Sequence, residues 1–153
     1  MKPPLPYTIR PATHAPADDV AWARLRHELW PDCPPERHAV EKQLYLRSPG
    51  IVLFALNEAG EPFGFVEVSV RRDHVVGSSS TDTPYLEGWF IEADYRDRGI
   101  GRALIEAACE WARNAGYREL ASDTEFDNHD GISAHLRLGF RETERTISFL
   151  RPL

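Results

Sequence analysis

The sequence predicts an α/β fold, with helices flanking a mixed sheet in one domain spanning 1–153, and three observations predict it. A buried-type run, Ile51-Val52-Leu53-Phe54-Ala55-Leu56, is followed across the turn Asn57 to Glu61 by the alternating run Phe63 to Val70, the pattern of an antiparallel hairpin. The apolar run Tyr85 to Ile91 leads through a glycine-rich turn into Ala103-Leu104-Ile105-Glu106-Ala107-Ala108, a strong helix former. Glu119 to Thr124 then reads as another strand, parallel to the run before the helix if that helix is a crossover packed on the sheet.

Taken in order, Tyr7 to Pro11 is a short first strand that Pro11 ends, and Asp18-Asp19 offers negative charge to a helix N-terminus. Val20, Trp22, Ala23, Leu25, Leu29 and Trp30 recur at helical spacing up to Pro31. A second helix starts after Pro34-Pro35, carries Val40, Leu44 and Leu46, and stops at Ser48-Pro49-Gly50. Together the two helices form a flap over the next part of the chain. Between the hairpin and the Tyr85 strand, Arg71 to Thr83 is polar around Gly77-Ser78-Ser79-Ser80, a long loop of the kind that is functional or mobile. Ile100, Leu104, Ala107, Ala108, Trp111 and Ala115 share one face of the next helix, which Gly116 ends. A short helix from Ile132 to Leu138 comes next, and Phe140 opens a last strand or hairpin to Leu150.

The bulk numbers narrow the class. A hydrophobic fraction of 42% and a charged fraction of 27% are those of a soluble globular protein. No apolar run approaches the ~20 residues of a membrane span, and Met1-Lys2-Pro3-Pro4 lacks a signal-peptide core, so a cytoplasmic protein with no membrane partner is expected. The net charge of −6 gives nucleic acid little attraction and favours a polycationic small molecule or basic peptide. Cys33 and Cys109 are far apart with no ligand pattern nearby, so neither a disulfide nor a metal site is expected.

Arg96-Asp97-Arg98-Gly99-Ile100-Gly101 stands at the start of a helix, where glycines let backbone N–H groups approach an anion. No Gly-Lys-Ser/Thr follows, so it is not a Walker loop. The turn resembles the Arg/Gln-x-x-Gly-x-Gly/Ala pyrophosphate turn of the GNAT acyltransferase superfamily, and the order of elements is also the GNAT order. Leu25-Arg26-His27-Glu28-Leu29-Trp30-Pro31, Arg71 to Gly77, Leu86-Glu87-Gly88, Glu119 to Thr124, and Leu138 to Arg145 resemble stretches of the aminoglycoside 6'-N-acetyltransferases.

The resemblance implies a GNAT-type, mostly antiparallel sheet and acetyl-CoA as co-substrate, with no metal. It implies that the backbone of Trp89, Phe90 and Ile91 pairs with the pantetheine arm, and that the amides of Asp97, Arg98, Gly99, Ile100, Gly101 and Arg102 hold the pyrophosphate. Asn128 matches the asparagine that holds the arm from the other side; an Asn turn with Asp127 and Asp130 is the other reading. On the substrate side, Glu87 sits inside an apolar strand and Asp123 in its neighbour, where a carboxylate is costly unless paired or facing a cavity. Either they are ion-paired, with Arg118 or Arg145 as partners, or they face a cleft that takes an ammonium group. Glu144 reaches the same rim or belongs to a solvated charge run. Trp30 is a wall for a sugar ring or simply core. His74 stands where related enzymes can have tyrosine, in a loop that is otherwise a polar hairpin.

An alkyl ammonium with a pKa of about 10.4 is neutral in fewer than about one molecule in a thousand at pH 7, so a base has leverage. Asp123 or Glu87, directly or through water, is the expected base, and backbone N–H groups of the central strand polarise the thioester carbonyl. His135 occupies the place, four residues before Gly139, where many GNAT enzymes carry a tyrosine. It is expected to protonate the sulfur, or else is a helix-surface histidine. The implied function is direct acetyl transfer to the 6'-amine of an aminoglycoside, with antibiotic resistance and a homodimer as corollaries. Acetylation of a polyamine or peptide, and a non-catalytic acyl-CoA or drug-binding module, are the alternatives.

Overall fold

The computed structural model describes Met1–Leu153. In chain order the elements are β1 (Thr8–Pro11), α1 (Pro16–Leu29), α2 (Pro35–Arg47), β2 (Ile51–Leu56), β3 (Pro62–Arg71), β4 (Thr83–Ile91), α3 (Ile100–Asn114), β5 (Ala121–Ser122) and α4 (His129–Arg137). The strands form one sheet in the order β1-β2-β3-β4-β5, antiparallel except for the parallel β4–β5 pair. This is the predicted mixed, mostly antiparallel sheet.

Each face of the sheet has its own core. Leu53, Ala55, Val66, Val68 and Leu86 meet Ile100, Leu104, Ile105 and Ala108 of α3. On the opposite face Val52, Phe54, Leu56 and Phe65 meet Trp22 and Leu25 of α1. The amphipathic spacing of α3 therefore reads correctly, although Ile105 is buried and Ala115 exposed.

The second helix departs from its apolar pattern. Val40 and Leu44 are exposed, and the buried residues of α2 are His38 and Lys42. Both polar heads have partners on α1: Lys42 Nζ donates to Asp19 Oδ1 at 2.7 Å and to the Asp19 carbonyl at 3.0 Å, while His38 Nδ1 accepts from Arg26 Nε at 3.0 Å. Paired polar groups can be buried at little net cost, so the inward face follows long-range partners rather than hydropathy.

The start of α1 is fixed by Asp18. Its carboxylate accepts both Arg10 Nη atoms, the Thr13 amide and the Thr13 hydroxyl, each at 2.8 Å. The Arg10 pair, followed by the Thr13 donors, holds the carboxyl far below its ordinary value against the opposing effect of burial. A carboxylate whose folded-state pKa is depressed contributes stability above its unfolded value, about 3.9, and that stability is lost as pH falls below it. Asp18→Asn is expected to cost about 2–3 kcal/mol at pH 7 and almost nothing in strong acid, checked by urea unfolding across pH 2–7.

Two expectations near the C-terminus fail. Glu119 to Thr124 yields only a two-residue strand, so Asp123 lies just outside the sheet and is exposed. Phe140 to Leu150 forms no strand or hairpin. Residues 141–153 are exposed throughout, with Ile147, Phe149 and Leu150 open to solvent, because the segment finds no strand partner within the chain.

Candidate active site

Two features of β4 create the site. Glu67 pairs with Gly88 while Val68 pairs with Leu86, so Glu87 is the extra residue of a β-bulge. β5 pairs with β4 only at Tyr85–Ala121 and Leu86–Ser122. Beyond Leu86 the two parallel strands part, and the edge of β4 from Gly88 to Ile91 has no strand on that side. This includes the predicted Trp89, Phe90 and Ile91, and it leaves backbone groups free to pair with an extended ligand.

At the far end of that edge lies the glycine turn. Gly99 has φ 81°, with open space where a side chain would stand, and Asp97 is also left-handed at φ 62°. Gly101 serves a different purpose: a Cβ there would come within 3.1 Å of the Trp89 indole, so its absence seats α3 against β4. Ile100 is buried in the core, leaving its amide as its offering to a ligand. The side chain of Arg102 donates to the Arg137 carbonyl, 3.0 Å away, tying α3 to α4. Arg98 Nη1 donates to the Pro3 carbonyl and Lys2 N to the Asp97 carbonyl, so the chain start lies along the turn, a contact that nothing in the sequence signals. Arg98 Nε is buried without an acceptor. An orphaned donor beside an open left-handed glycine at a helix N-terminus fits a bound phosphate oxygen.

The wedge between β4 and β5 is closed by α4. His135 Nδ1 lies 2.7 Å from the Gly131 carbonyl, and Nε2 lies 2.8 Å from Ser122 Oγ. The imidazole meets Trp89 and Phe140 edge-on, with ring centroids 5.8 Å and 5.2 Å away. His135 is therefore not a free surface histidine. Asn128 caps α4: its Oδ1 accepts the Gly131 amide and its Nδ2 donates to Thr124 Oγ1, each at 2.9 Å. That is the turn reading of Asn128, with both ends of the amide engaged.

On the opposite face of the sheet, under α1 and α2, lies a cavity of about 840 Å³. Trp30, Tyr45, Glu67, Ser69 and Glu87 line it, and its wall as a whole carries four carboxylates (Asp32, Glu41, Glu67, Glu87) against two guanidiniums (Arg26, Arg37). Trp30 stands in the cavity wall, where Gly88 leaves room for it: a Cβ on Gly88 would stand 2.7 Å from Trp30 Cη2.

Glu87 faces this cavity and is also paired, so neither sequence reading holds alone. Arg71 Nε and Nη2 donate to its two oxygens at 2.8 and 2.7 Å, and Ser69 Oγ adds a third bond at 2.7 Å. The partner is neither Arg118 nor Arg145. Arg71 in turn lies over the Tyr85 ring, 3.4 Å from its centroid. Burial, followed by the Asp123 carboxylate nearby, raises the Tyr85 phenol. Asp123 itself is exposed, so the cost of burying a carboxylate in a strand gives no argument for it. His74 is exposed, and its loop is held to the body by Glu119, which accepts from Ser78 Oγ, Ser79 N and Ser79 Oγ at 2.6 to 3.0 Å. Glu144 is exposed in the C-terminal segment and is not brought to the cavity within the chain.

Sequence reading missed Glu67, which is fully buried beneath the cavity. Its Oε1 accepts Trp22 Nε1 at 2.7 Å and Arg26 Nη1 at 2.6 Å, while Oε2 has no partner. Burial outweighs both donors and pushes its pKa up to about 7. A glutamate inside Phe63 to Val70 was the same signal that singled out Glu87. Cys33, His38 and Glu41 also come together, within 4.8 Å of one another. Arg26 decides against a cation there. It ion-pairs with Glu41, and its Nε–H takes the Nδ1 lone pair of His38, which places the neutral ring's proton on Nε2 and leaves neither nitrogen as a ligand.

The pattern of the acetyltransferase (GNAT) family matches residues 20–140. The chain belongs to the GNAT family. Among relatives of this GNAT chain, an aminoglycoside N(6')-acetyltransferase type 1 from Stenotrophomonas maltophilia is 43% identical over 95% of this chain and 94% of its own length. The enzyme of that name from Salmonella typhimurium is 38% identical over 84% and 88%. Among solved structures, AAC(6')-Iy in complex with the bisubstrate analogue CoA-S-monomethyl-acetylneamine has a TM-score of 0.87 and 34% identity, covering 97% of this chain and 99% of that one. The GNAT fold thus supplies the common frame, and the free β4 edge and glycine turn are where this chain meets it.

Proposed function

We propose that this GNAT protein transfers acetyl from acetyl-CoA directly to the 6'-amine of aminoglycoside antibiotics and thereby confers resistance. The observation that carries this is the near-full-length identity to enzymes of that name, at 43% for the Stenotrophomonas maltophilia relative. The cavity walled by Trp30, with Asp32 a wall carboxylate that pairs with no guanidinium, supports it, since aminoglycosides are polycations with flat sugar faces.

The residues that would hold the co-substrate are the β4 edge and the amides from Asp97 to Arg102, with Arg98 beside them. Acetyl-CoA supplies an activated acetyl group. Glu87, fixed by Arg71 and Ser69, orients a substrate ammonium at the bulge. Asp123, exposed at the mouth of the wedge, takes the amine proton, directly or through water. Asp123→Asn is expected to lower kcat with little change in thermal stability, because its carboxylate is solvated.

Gly88→Ala tests the cavity. The added methyl forces Trp30 into the sugar site, and KM for the aminoglycoside is expected to rise about tenfold or more while acetyl-CoA affinity stays constant. Steady-state kinetics with each substrate varied reads the two separately.

No helix of the protein is long and apolar enough to cross a membrane. A cytoplasmic location is part of the proposal, since the acetyl donor is found there. So is a homodimer. A segment exposing Ile147, Phe149 and Leu150 invites a second copy to cover it, and ending the chain after Phe140 is expected to abolish dimers in sedimentation experiments. The function is tested in cells: expression is expected to protect bacteria from kanamycin and not from its 6'-hydroxyl counterpart. Equal protection against both would contradict 6'-N-acetylation.

A further inference from the structure

We propose that Ser122 and His135 act as one proton donor, in which the serine hydroxyl is the catalytic group that protonates the leaving thiolate and the imidazole is the positioning residue that resupplies it. This rests on the acetyl-transfer reading and names a residue that reading does not use.

The imidazole's hydrogen bonds set the direction in which a proton can move. Both ring nitrogens are occupied: Nδ1 faces the Gly131 carbonyl at 2.7 Å and Nε2 faces Ser122 Oγ at 2.8 Å. A carbonyl can only accept, so Nδ1 carries a hydrogen in every protonation state. In the neutral ring Nε2 is therefore bare and accepts the Ser122 O–H. In the imidazolium Nε2–H donates to Ser122 Oγ, and the hydroxyl hydrogen is released to point elsewhere. Both states are satisfied by a rotation of one hydroxyl, and packing of the ring against Trp89 and Phe140 keeps it in place. With neither nitrogen free to reach a ligand, a proton held by His135 leaves through Ser122.

Ser122 is where that proton is needed. It is the last β5 residue paired with β4, opposite Leu86, whose carbonyl is 3.4 Å from Ser122 Oγ. The strands part immediately beyond, so the hydroxyl stands at the root of the wedge. The step balances: Ser122 gives its hydrogen to the departing sulfur as the carbon–sulfur bond breaks, its oxygen takes the Nε2 hydrogen, and His135 ends as the neutral Nδ1–H tautomer that Gly131 stabilises. Between turnovers the proton returns by the same route: the Ser122 oxygen takes a proton from solvent as its own hydrogen passes to Nε2.

The first test needs neither substrate. Long-range ¹H–¹⁵N NMR of the free protein is expected to show neutral His135 protonated at Nδ1; a proton on Nε2 would overturn the proposal. The second is kinetic. Ser122→Ala and His135→Gln are each expected to lower kcat about 100-fold with the aminoglycoside KM and CoA affinity unchanged, the double variant to lose no more than either, and Ser122→Thr to restore turnover. Wild-type kcat in Ser122→Ala, alone or beside a defective His135→Gln, would overturn the hydroxyl's role. Failure of Ser122→Thr to recover, with its thermal stability intact, would also count against it. If the wild-type protein acetylates no aminoglycoside, the acetyl-transfer reading falls and takes the relay with it, an outcome that the wild-type control separates from failure of the relay alone.

Discussion

Arg26→Met is expected to lower the unfolding free energy by about 3–5 kcal/mol near pH 7.5, the largest loss from any single replacement beneath the cavity. Arg26 is nearly inaccessible and serves three groups at once: Glu67, Glu41 and His38. Methionine fills much of its volume and supplies no donor, so Glu67 is left buried with Trp22 alone. Its pKa is already raised by burial despite the guanidinium, and it rises further when the guanidinium is gone.

The sign of the pH effect comes from that direction. A carboxyl whose folded-state pKa lies above its unfolded value binds more protons folded than unfolded between the two, so stability falls as pH rises through that window. In the wild type the window runs from the ordinary 4.5 to about 7. In Arg26→Met it extends upward, so the deficit shrinks as pH falls from above the variant's raised value to about 7 and is level below that, where both folded proteins hold the proton. Removing both charges, in Arg26→Met with Glu67→Leu, is expected to cost less than Arg26→Met alone, since no uncompensated charge remains in the interior. Urea unfolding at pH 5.5 and 7.5 measures all three. Equal losses in the single and double variants would contradict the cost assigned to the unpaired Glu67 carboxyl.

Gly99→Val is the replacement expected to damage co-substrate binding most. Gly99 is at φ 81°, a conformation that costs an L-residue about 1–2 kcal/mol, and a branched residue is the least suited to it. Nothing in the protein lies within 4 Å of the position of its missing Cβ, so the new side chain projects into the space where phosphate is expected. Acetyl-CoA affinity, read by calorimetry, is expected to fall at least tenfold, with only a modest drop in thermal stability. A variant of unchanged affinity would place the pyrophosphate elsewhere.

What the sequence discloses divides along a physical line. The β4–α3 unit was legible because its signals are local: an apolar run, a turn whose glycines sit beside arginines, and a helix with one apolar face. Glu87 stands out because a carboxylate interrupts an apolar strand, and His135 because it occupies a motif position. Their partners do not. Arg71 rather than Arg118 or Arg145 holds Glu87, and the choice depends on a bulge that hydropathy does not encode. Val40 and Leu44 read as core and are exposed, because the inward face of α2 is set by bonds from His38 and Lys42 to residues on α1. The segment after Phe140 reads as a strand or hairpin, but a strand exists only where it pairs, and this one pairs with no other strand of its chain. Ser122 gave no signal at all, since a serine before an aspartate acquires meaning only when α4 brings His135 to it.

The most direct test of the account is thiol release from acetyl-CoA by the purified protein, measured with kanamycin and tobramycin, their 6'-hydroxyl counterparts, spermidine and a lysine peptide. Turnover confined to the drugs with a 6'-amine is the predicted result. Turnover with spermidine or the peptide alone would keep the acetyltransferase and contradict the drug assignment, and binding of acetyl-CoA with no turnover on any amine would contradict catalysis itself.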